Sequence, residues 1–201
     1  MTGLRRLCDE LGIMLIFDEV QTGFGRTGKM WCMEHYGIVP DIMFTSKSIS
    51  GGVYPNGAVV YRDIEPLTSY VEKNPLFHTS HSGGTDLGCI VSSAVLDYLT
   101  ENKVWEHAAE ICGRFKEGLI EIWNENRHAI KEVRGRGLML AVELHPEAGG
   151  ARKYCYALKD RGLLAKDTHG HTIRIAPPLV VTKDQIDWAL EQFDQVLTKQ
   201  I

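Results

Sequence analysis

Apolar side chains recur at Leu4, Leu7, Cys8 and Leu11, the spacing of one helix face, and Gly12 is a fitting stop. The unbroken apolar run Ile13, Met14, Leu15, Ile16 and Phe17 then predicts a strand buried on both faces, as in a parallel sheet under helices, and it ends abruptly in Asp18 and Glu19. A glycine-rich loop over 21–28, a short helix over 31–36 and a second strand over 42–45, announced by Pro40 and Asp41, continue the alternation. Beyond the small-residue stretch 46–52, Gly57–Tyr61 reads as a third strand. Helix, strand, helix, strand is the pattern of an α/β sheet.

Residues 74–84 are polar and irregular. Two long helices are expected over 86–99 and 104–124, where apolar residues return every three or four positions. The rest has the pattern of a compact α+β unit: a strand over 137–144, a helix over 151–161, short strands over 163–165 and 172–175, and a last helix from residue 182. A boundary near residue 100 follows, giving two domains, 1–100 and 101–201, and 201 residues suffice for one large domain or two small ones.

With 44% apolar and 24% charged residues the chain has the make-up of a globular protein, which excludes disorder and collagen. A net charge of −4 with no basic run longer than Arg5-Arg6 leaves no electrostatic footprint for nucleic acid. The longest apolar run, ending at Phe17, falls far short of the roughly 20 residues a membrane helix needs. We therefore expect no nucleic-acid partner, no membrane and a cytoplasmic location. Cys8, Cys32, Cys89, Cys112 and Cys155 are dispersed and form no C-x-x-C, so reduced and mostly packed thiols are expected rather than disulfides or a zinc site. His78 and His81 lack further ligands nearby, and no metal is expected.

In an open α/β sheet ligands collect beyond the carboxyl ends of the strands, and Asp18 and Lys47 each lie directly beyond one. Judged by residue type alone, Asp18 reads as a loop cap and Lys47 as a solvated charge. An acid and an amine there also suit pyridoxal 5'-phosphate chemistry, in which lysine forms a Schiff base with the cofactor aldehyde and aspartate pairs with its ring nitrogen. The wider motif changes the weighting. Leu15-Ile16-Phe17-Asp18-Glu19-Val20-Gln21-Thr22-Gly23-Phe24-Gly25-Arg26-Thr27-Gly28, followed by Pro40-Asp41-Ile42 and Ser46-Lys47-Ser48-Ile49-Ser50-Gly51-Gly52, closely resembles the class III pyridoxal-phosphate aminotransferases. Val133-Arg134-Gly135-Arg136-Gly137-Leu138, Arg161-Gly162-Leu163-Leu164-Ala165-Lys166, Thr168-His169-Gly170 and Ile173-Arg174-Ile175-Ala176-Pro177-Pro178-Leu179 are most similar to its ornithine branch. The resemblance runs from end to end.

That resemblance implies a type I pyridoxal-phosphate-dependent transferase fold. Residues 1–100 would be the C-terminal part of a cofactor-binding large domain with a mostly parallel sheet, and 101–201 a small C-terminal α+β domain. It implies pyridoxal 5'-phosphate as cofactor, with Lys47 as its internal aldimine, Asp18 against the ring nitrogen, Gln21 on the ring's 3'-oxygen and Val20 beneath the ring. Arg174 matches the family arginine that grips a substrate carboxylate, a task suited to a planar, bidentate guanidinium. The implied reaction passes an amino group from a small amino acid or diamine to a keto acid such as 2-oxoglutarate, within a homodimer.

The pattern departs from the family in two ways. Members carry a threonine and an aromatic residue before Gly-Gly and then Asn-Pro, whereas this chain has His81-Ser82-Gly83-Gly84-Thr85-Asp86. The family threonine reaches the cofactor phosphate of the neighbouring subunit, so His81 holds that slot, with Ser80 or Ser82 as substitute donors. Members are also about twice as long, and the upstream helix start that holds the phosphate is missing. The chain is thus expected to be a fragment, a truncated reading frame or one of two polypeptides, which adds a chain supplying the N-terminal half to its partners. The alternative is a non-catalytic remnant that binds no cofactor by itself. Acetylornithine, putrescine and 4-aminobutyrate transaminases remain open, as do family mutases and decarboxylases. A nucleotide-binding domain is set aside, because no glycine-rich phosphate loop directly follows a strand.

Overall fold

The computed structural model describes residues 1–75, 80 and 83–198. The chain divides into two compact units, Met1–Phe24 with Lys29–Lys103, and Gly25–Gly28 with Val104–Ile201.

In the first unit, helix α1 (Thr2–Leu11) ends at Gly12, whose φ of 64° is the left-handed cap that glycine adopts without penalty. Strands β1 (Ile16–Asp18), β2 (Ile42–Ser46) and β3 (Gly57–Tyr61) form a three-stranded sheet in that order. β1 runs parallel to β2 with Asp18 opposite Phe44, while β3 runs antiparallel with Gly57 opposite Ser46. The sheet is therefore mixed. β1 starts later than the expected strand over 13–17 and is not buried on both faces, since Ile13 is 55% and Ile16 48% exposed. Coverage is the reason: a parallel strand is sealed only by neighbouring strands and crossover helices, and among the described residues β1 pairs with β2 alone. The α1 stripe behaves alike, with Cys8 buried and Leu4, Leu7 and Leu11 exposed.

Helix α2 (Leu67–Lys73), a short element absent from the expected set, buries no residue. Helix α3 (Asp86–Glu101) buries Gly88, Ser92 and Leu99 and packs on the turn that follows β2. The starts of β1 and β2 are tied by Asp41. Its carboxylate accepts the Leu15 amide at 2.8 Å, Arg5 at 2.8 Å and Arg62 at 3.0 Å. Burial alone would raise this carboxyl, but the three donors outweigh it and hold its pKa below the ordinary value.

In the second unit, strands β4 (Ile130–Arg136), β5 (Met139–Leu144), β6 (Lys166–Thr168) and β7 (Thr172–Ile175) form an antiparallel sheet in the order β4, β5, β7, β6. Helix α4 (Val104–Glu125) packs on α6 (Lys183–Thr198) and β4, and α5 (Ala151–Asp160) on α6, β6 and β7. β5 alternates, sending Leu140, Val142 and Leu144 into a core with Phe115, Leu119, Ile173 and Phe193, each at most 2% exposed. On the other face Glu143 pairs with Lys131 at 2.7 Å and with Arg134.

Two strand expectations shift here. The strand over 137–144 is the second arm of a hairpin, with Gly137 and Leu138 as its turn; β4 went unread because charge dominates Lys131, Glu132, Arg134 and Arg136. The strand over 163–165 begins instead at Lys166, because the Leu163 amide closes the end of α5 on the Leu158 carbonyl at 2.9 Å. The segment Gly25–Gly28 is stitched into this unit. The Leu138 amide donates to the Arg26 carbonyl at 3.0 Å, and the Arg26 guanidinium donates to the Leu138 and Pro177 carbonyls at 3.0 and 2.6 Å. A Cβ at Gly137 would stand 2.3 Å from the Thr27 carbonyl carbon, so this turn admits no side chain. Burial lowers the Arg26 pKa. Among the described residues no helix is long and apolar enough to cross a membrane.

Candidate active site

β2 ends at Ser46, and the chain turns at once into a 3-10 turn, Lys47–Ser50. Lys47 takes a φ of 48°, a left-handed conformation that residues other than glycine seldom adopt and that gathers at functional sites. The turn is braced by side chains. Ser50 Oγ donates to the Tyr54 carbonyl, and Ser46 Oγ to the Asn56 carbonyl at 2.7 Å. Asn56 Nδ2 reaches the Gly88 carbonyl at 3.1 Å and Ser92 Oγ at 2.8 Å, which fastens the loop to α3.

These ties surround a cavity of about 1160 Å³ whose wall includes Thr45, Ser46, Lys47, Ser50, Tyr54, Asn56, Ser80, Gly83 and Gly84. Lys47 is exposed. Thr45, 5% exposed, buries a hydroxyl that has no hydrogen-bond partner among the described residues, an arrangement that costs roughly 1–3 kcal/mol unless something polar completes it. An amine and several hydroxyl-bearing residues around one ample cavity fit a planar phosphorylated aldehyde such as pyridoxal phosphate.

One strand over, Asp18 closes β1 and accepts the Val20 amide on Oδ1 at 2.9 Å. Asp18 and Gln21 are exposed and Val20 is half-buried. Glu19 between them is 2% exposed. Its Oε1 accepts the Met33 amide at 2.8 Å and its Oε2 the Thr22 hydroxyl. Gly23 has no space for a side chain, a Cβ there lying 2.7 Å from the Trp31 ring and 2.9 Å from the Glu19 carbonyl. Phe24 meets the same ring edge-on at 4.8 Å. Gly23 to Gly28 does spell G-x-G-x-x-G, yet it begins past a turn rather than at the strand's end. The Gly23 and Gly28 amides are already bonded to Glu19 and Gly25 carbonyls, at 2.9 Å each, and a 3-10 turn, Cys32–Tyr36, follows. It is not a phosphate loop.

The structure thus brings Lys47 and Ser80 to one cavity. Asp18, Val20 and Gln21 stand at the neighbouring strand end and, among the described residues, are not part of that wall. Arg174 is half-buried on β7 of the second unit, on the face opposite the core residues Ile173 and Ile175. His81, like His78 and Ser82, lies outside the described residues. Among the described residues no group of His, Cys, Asp or Glu gathers as a metal site would require. Sequence reading passed over Thr45 and Glu19. The period of two in β2 would have put Thr45 on the buried face with Met43, and Glu19 was signalled only by its place beside Asp18.

Residues 1–197 match the family model described as Aminotransferase class-III. The ornithine aminotransferase of Bordetella pertussis is 44% identical over 194 residues, an alignment covering 96% of this chain and 45% of that protein. A solved structure of Plasmodium falciparum ornithine delta-aminotransferase superposes with a TM-score of 0.91 at 33% identity, over 100% of this chain and 51% of that one. The Toxoplasma gondii ornithine aminotransferase, whose structure shows partial occupancy of PLP at its active site, gives 0.90 at 33% identity over 98% and 46%. The chain spans about half the length of the curated relatives it matches.

Proposed function

Because the chain belongs to the class III aminotransferase family, with the type I fold of its structural neighbours, we propose that it is the C-terminal half of an ornithine-type transaminase. That enzyme would pass an amino group from a small amino acid or diamine to a keto acid such as 2-oxoglutarate. The observation that carries this reading is an amine in strained backbone at the carboxyl end of β2, on a cavity wall, one parallel strand from a carboxylate. We assign residues 1–100 to the cofactor-binding large domain and 101–201 to the small C-terminal domain. The partners proposed are a second copy of this chain, a polypeptide supplying the N-terminal half, or both, in the cytoplasm.

Pyridoxal 5'-phosphate, when bound, supplies an electron sink at the carbon that gives up its amine. Lys47 would anchor it through Nζ, Asp18 would hold a proton on its ring nitrogen, Gln21 would donate to its ring oxygen and Val20 would back the ring. Ser80, and His81 outside the described residues, would donate to the phosphate of the cofactor in the neighbouring subunit. Lys47 Nζ would also carry a proton away from the substrate carbon. Arg174 would hold a substrate carboxylate with two parallel N–H donors.

The test is chemical. Pyridoxal phosphate is added to the full chain, the mixture is reduced with borohydride, and the digest is read by mass spectrometry. A pyridoxyl mass on Lys47 that vanishes in Lys47→Ala is expected; an adduct on a different lysine overturns the assignment. Half-length coverage favours a second reading, a remnant without independent cofactor binding. A wild-type chain that stays colourless supports that one.

A further inference from the structure

We propose that Glu19 is a positioning residue, whose buried carboxylate fixes the turn that presents Asp18, Val20 and Gln21. Four groups hold Glu19. Its amide donates to the Phe44 carbonyl at 2.9 Å, carrying the β1–β2 ladder one residue past β1, and its carbonyl accepts the Gly23 amide at 2.9 Å. The carboxylate takes the Met33 amide at 2.8 Å and the Thr22 hydroxyl, so both oxygens are occupied. One side chain therefore joins the start of the turn, its middle and the 3-10 turn beyond it.

The exposure pattern shows what this anchor serves. Glu19 is inside, whereas Asp18 and Gln21 on either side of it are exposed and Val20 is half-buried. Gly23, Phe24 and Trp31 close the remaining space beneath, through the tight approach at Gly23 and the edge-on ring contact. A carboxylate taken out of water onto two neutral donors is an expensive way to hold a loop. It is warranted where the residues carried must keep their places, because a displacement of about 1 Å at a reacting centre costs on the order of 100-fold in rate. The clamp stands on this geometry; its catalytic purpose rests on the aminotransferase reading.

Two variants of the full chain test it, Glu19→Ala and Glu19→Gln. In the alanine variant, amide hydrogen exchange at Met33 and over residues 20–23 should rise roughly tenfold or more, the order expected when a buried acceptor is deleted. The glutamine variant should stay near wild type, since its carbonyl can accept the Met33 amide and its amide can face the Thr22 hydroxyl. With pyridoxal phosphate added, the visible circular dichroism of the bound group per unit absorbance reports ring orientation, which a merely structural role would leave unmoved. It should fall with alanine and recover with glutamine. Unchanged exchange in Glu19→Ala, or a glutamine variant as loose as alanine, overturns the clamp. Unchanged dichroism with raised exchange overturns its purpose. If the wild type forms no Lys47 adduct, the aminotransferase reading fails and the exchange arm still judges the clamp. Should Glu19→Ala fail to fold, Thr22→Val removes one contact and should give the same exchange pattern at smaller size.

Discussion

The core of the second unit and the sheet of the first are assembled from similar residues and closed to very different degrees. Around β5, the side chains of Leu140, Val142 and Leu144 meet Phe115 and Phe193 from α4 and α6 and are almost fully withdrawn from solvent. Along β1 and β3, Ile16, Val59 and Val60 remain about half exposed, and so do Leu4, Leu7 and Leu11 of α1. An apolar pattern states which face favours burial; it does not supply the element that buries it. Open apolar surface of that kind drives association, and this chain spans about half the length of its curated relatives.

The sharpest way to test this contrast is to remove a side chain from each unit. Phe193→Ala, in the closed core, should cost roughly 3–5 kcal/mol, read as a drop in the denaturant midpoint. A loss below about 1 kcal/mol would mean the core is looser than its burial implies. Asp41→Ala, in the first unit, should cost less, about 2–3 kcal/mol, because Arg62 stays partly in water while Arg5 and the Leu15 amide lose a buried acceptor. Asp41 also carries a pH signature. Its folded pKa lies below the ordinary value of 3.8, so its stabilisation is complete above that range and disappears as pH falls through the lower folded value. Asp41→Asn should flatten that acid limb in a stability-against-pH series. The smallest effect belongs to Leu7→Ser on α1, within about 0.5 kcal/mol, together with reduced self-association by light scattering. A cost there as large as that of Phe193→Ala would erase the difference between the units.

Much of the fold was legible wherever a local period repeats. The stripes of α3 and α4, the stop at Gly12 and the strands at 42–46 and 57–61 follow from spacing and turn chemistry. β4 was hidden because its outward face is charged, and β6 was displaced because α5 closes on Leu163. Of the candidate site, Lys47 and Asp18 stand out in the sequence because both sit where strands end and within a specific motif. Thr45 was open only to the period of two in β2, and Glu19 stayed hidden, since its meaning lies in burial and in a partner beyond its own turn, Met33. The strain at Lys47 is likewise invisible to a reading of residue types, because its left-handed backbone is imposed by the braced loop behind it.

The excursion of Gly25–Gly28 into the second unit bears on how this polypeptide can be dissected. Chain on either side of those residues belongs to the first unit, so no single scission yields two self-sufficient pieces. A truncation product starting at residue 104 would strip the Leu138 amide of its acceptor and the Leu138 and Pro177 carbonyls of the Arg26 donor, and would uncover the tight turn at Gly137. Limited proteolysis between the units should therefore release nicked material that stays together until denatured, and reporter insertions belong in some other loop.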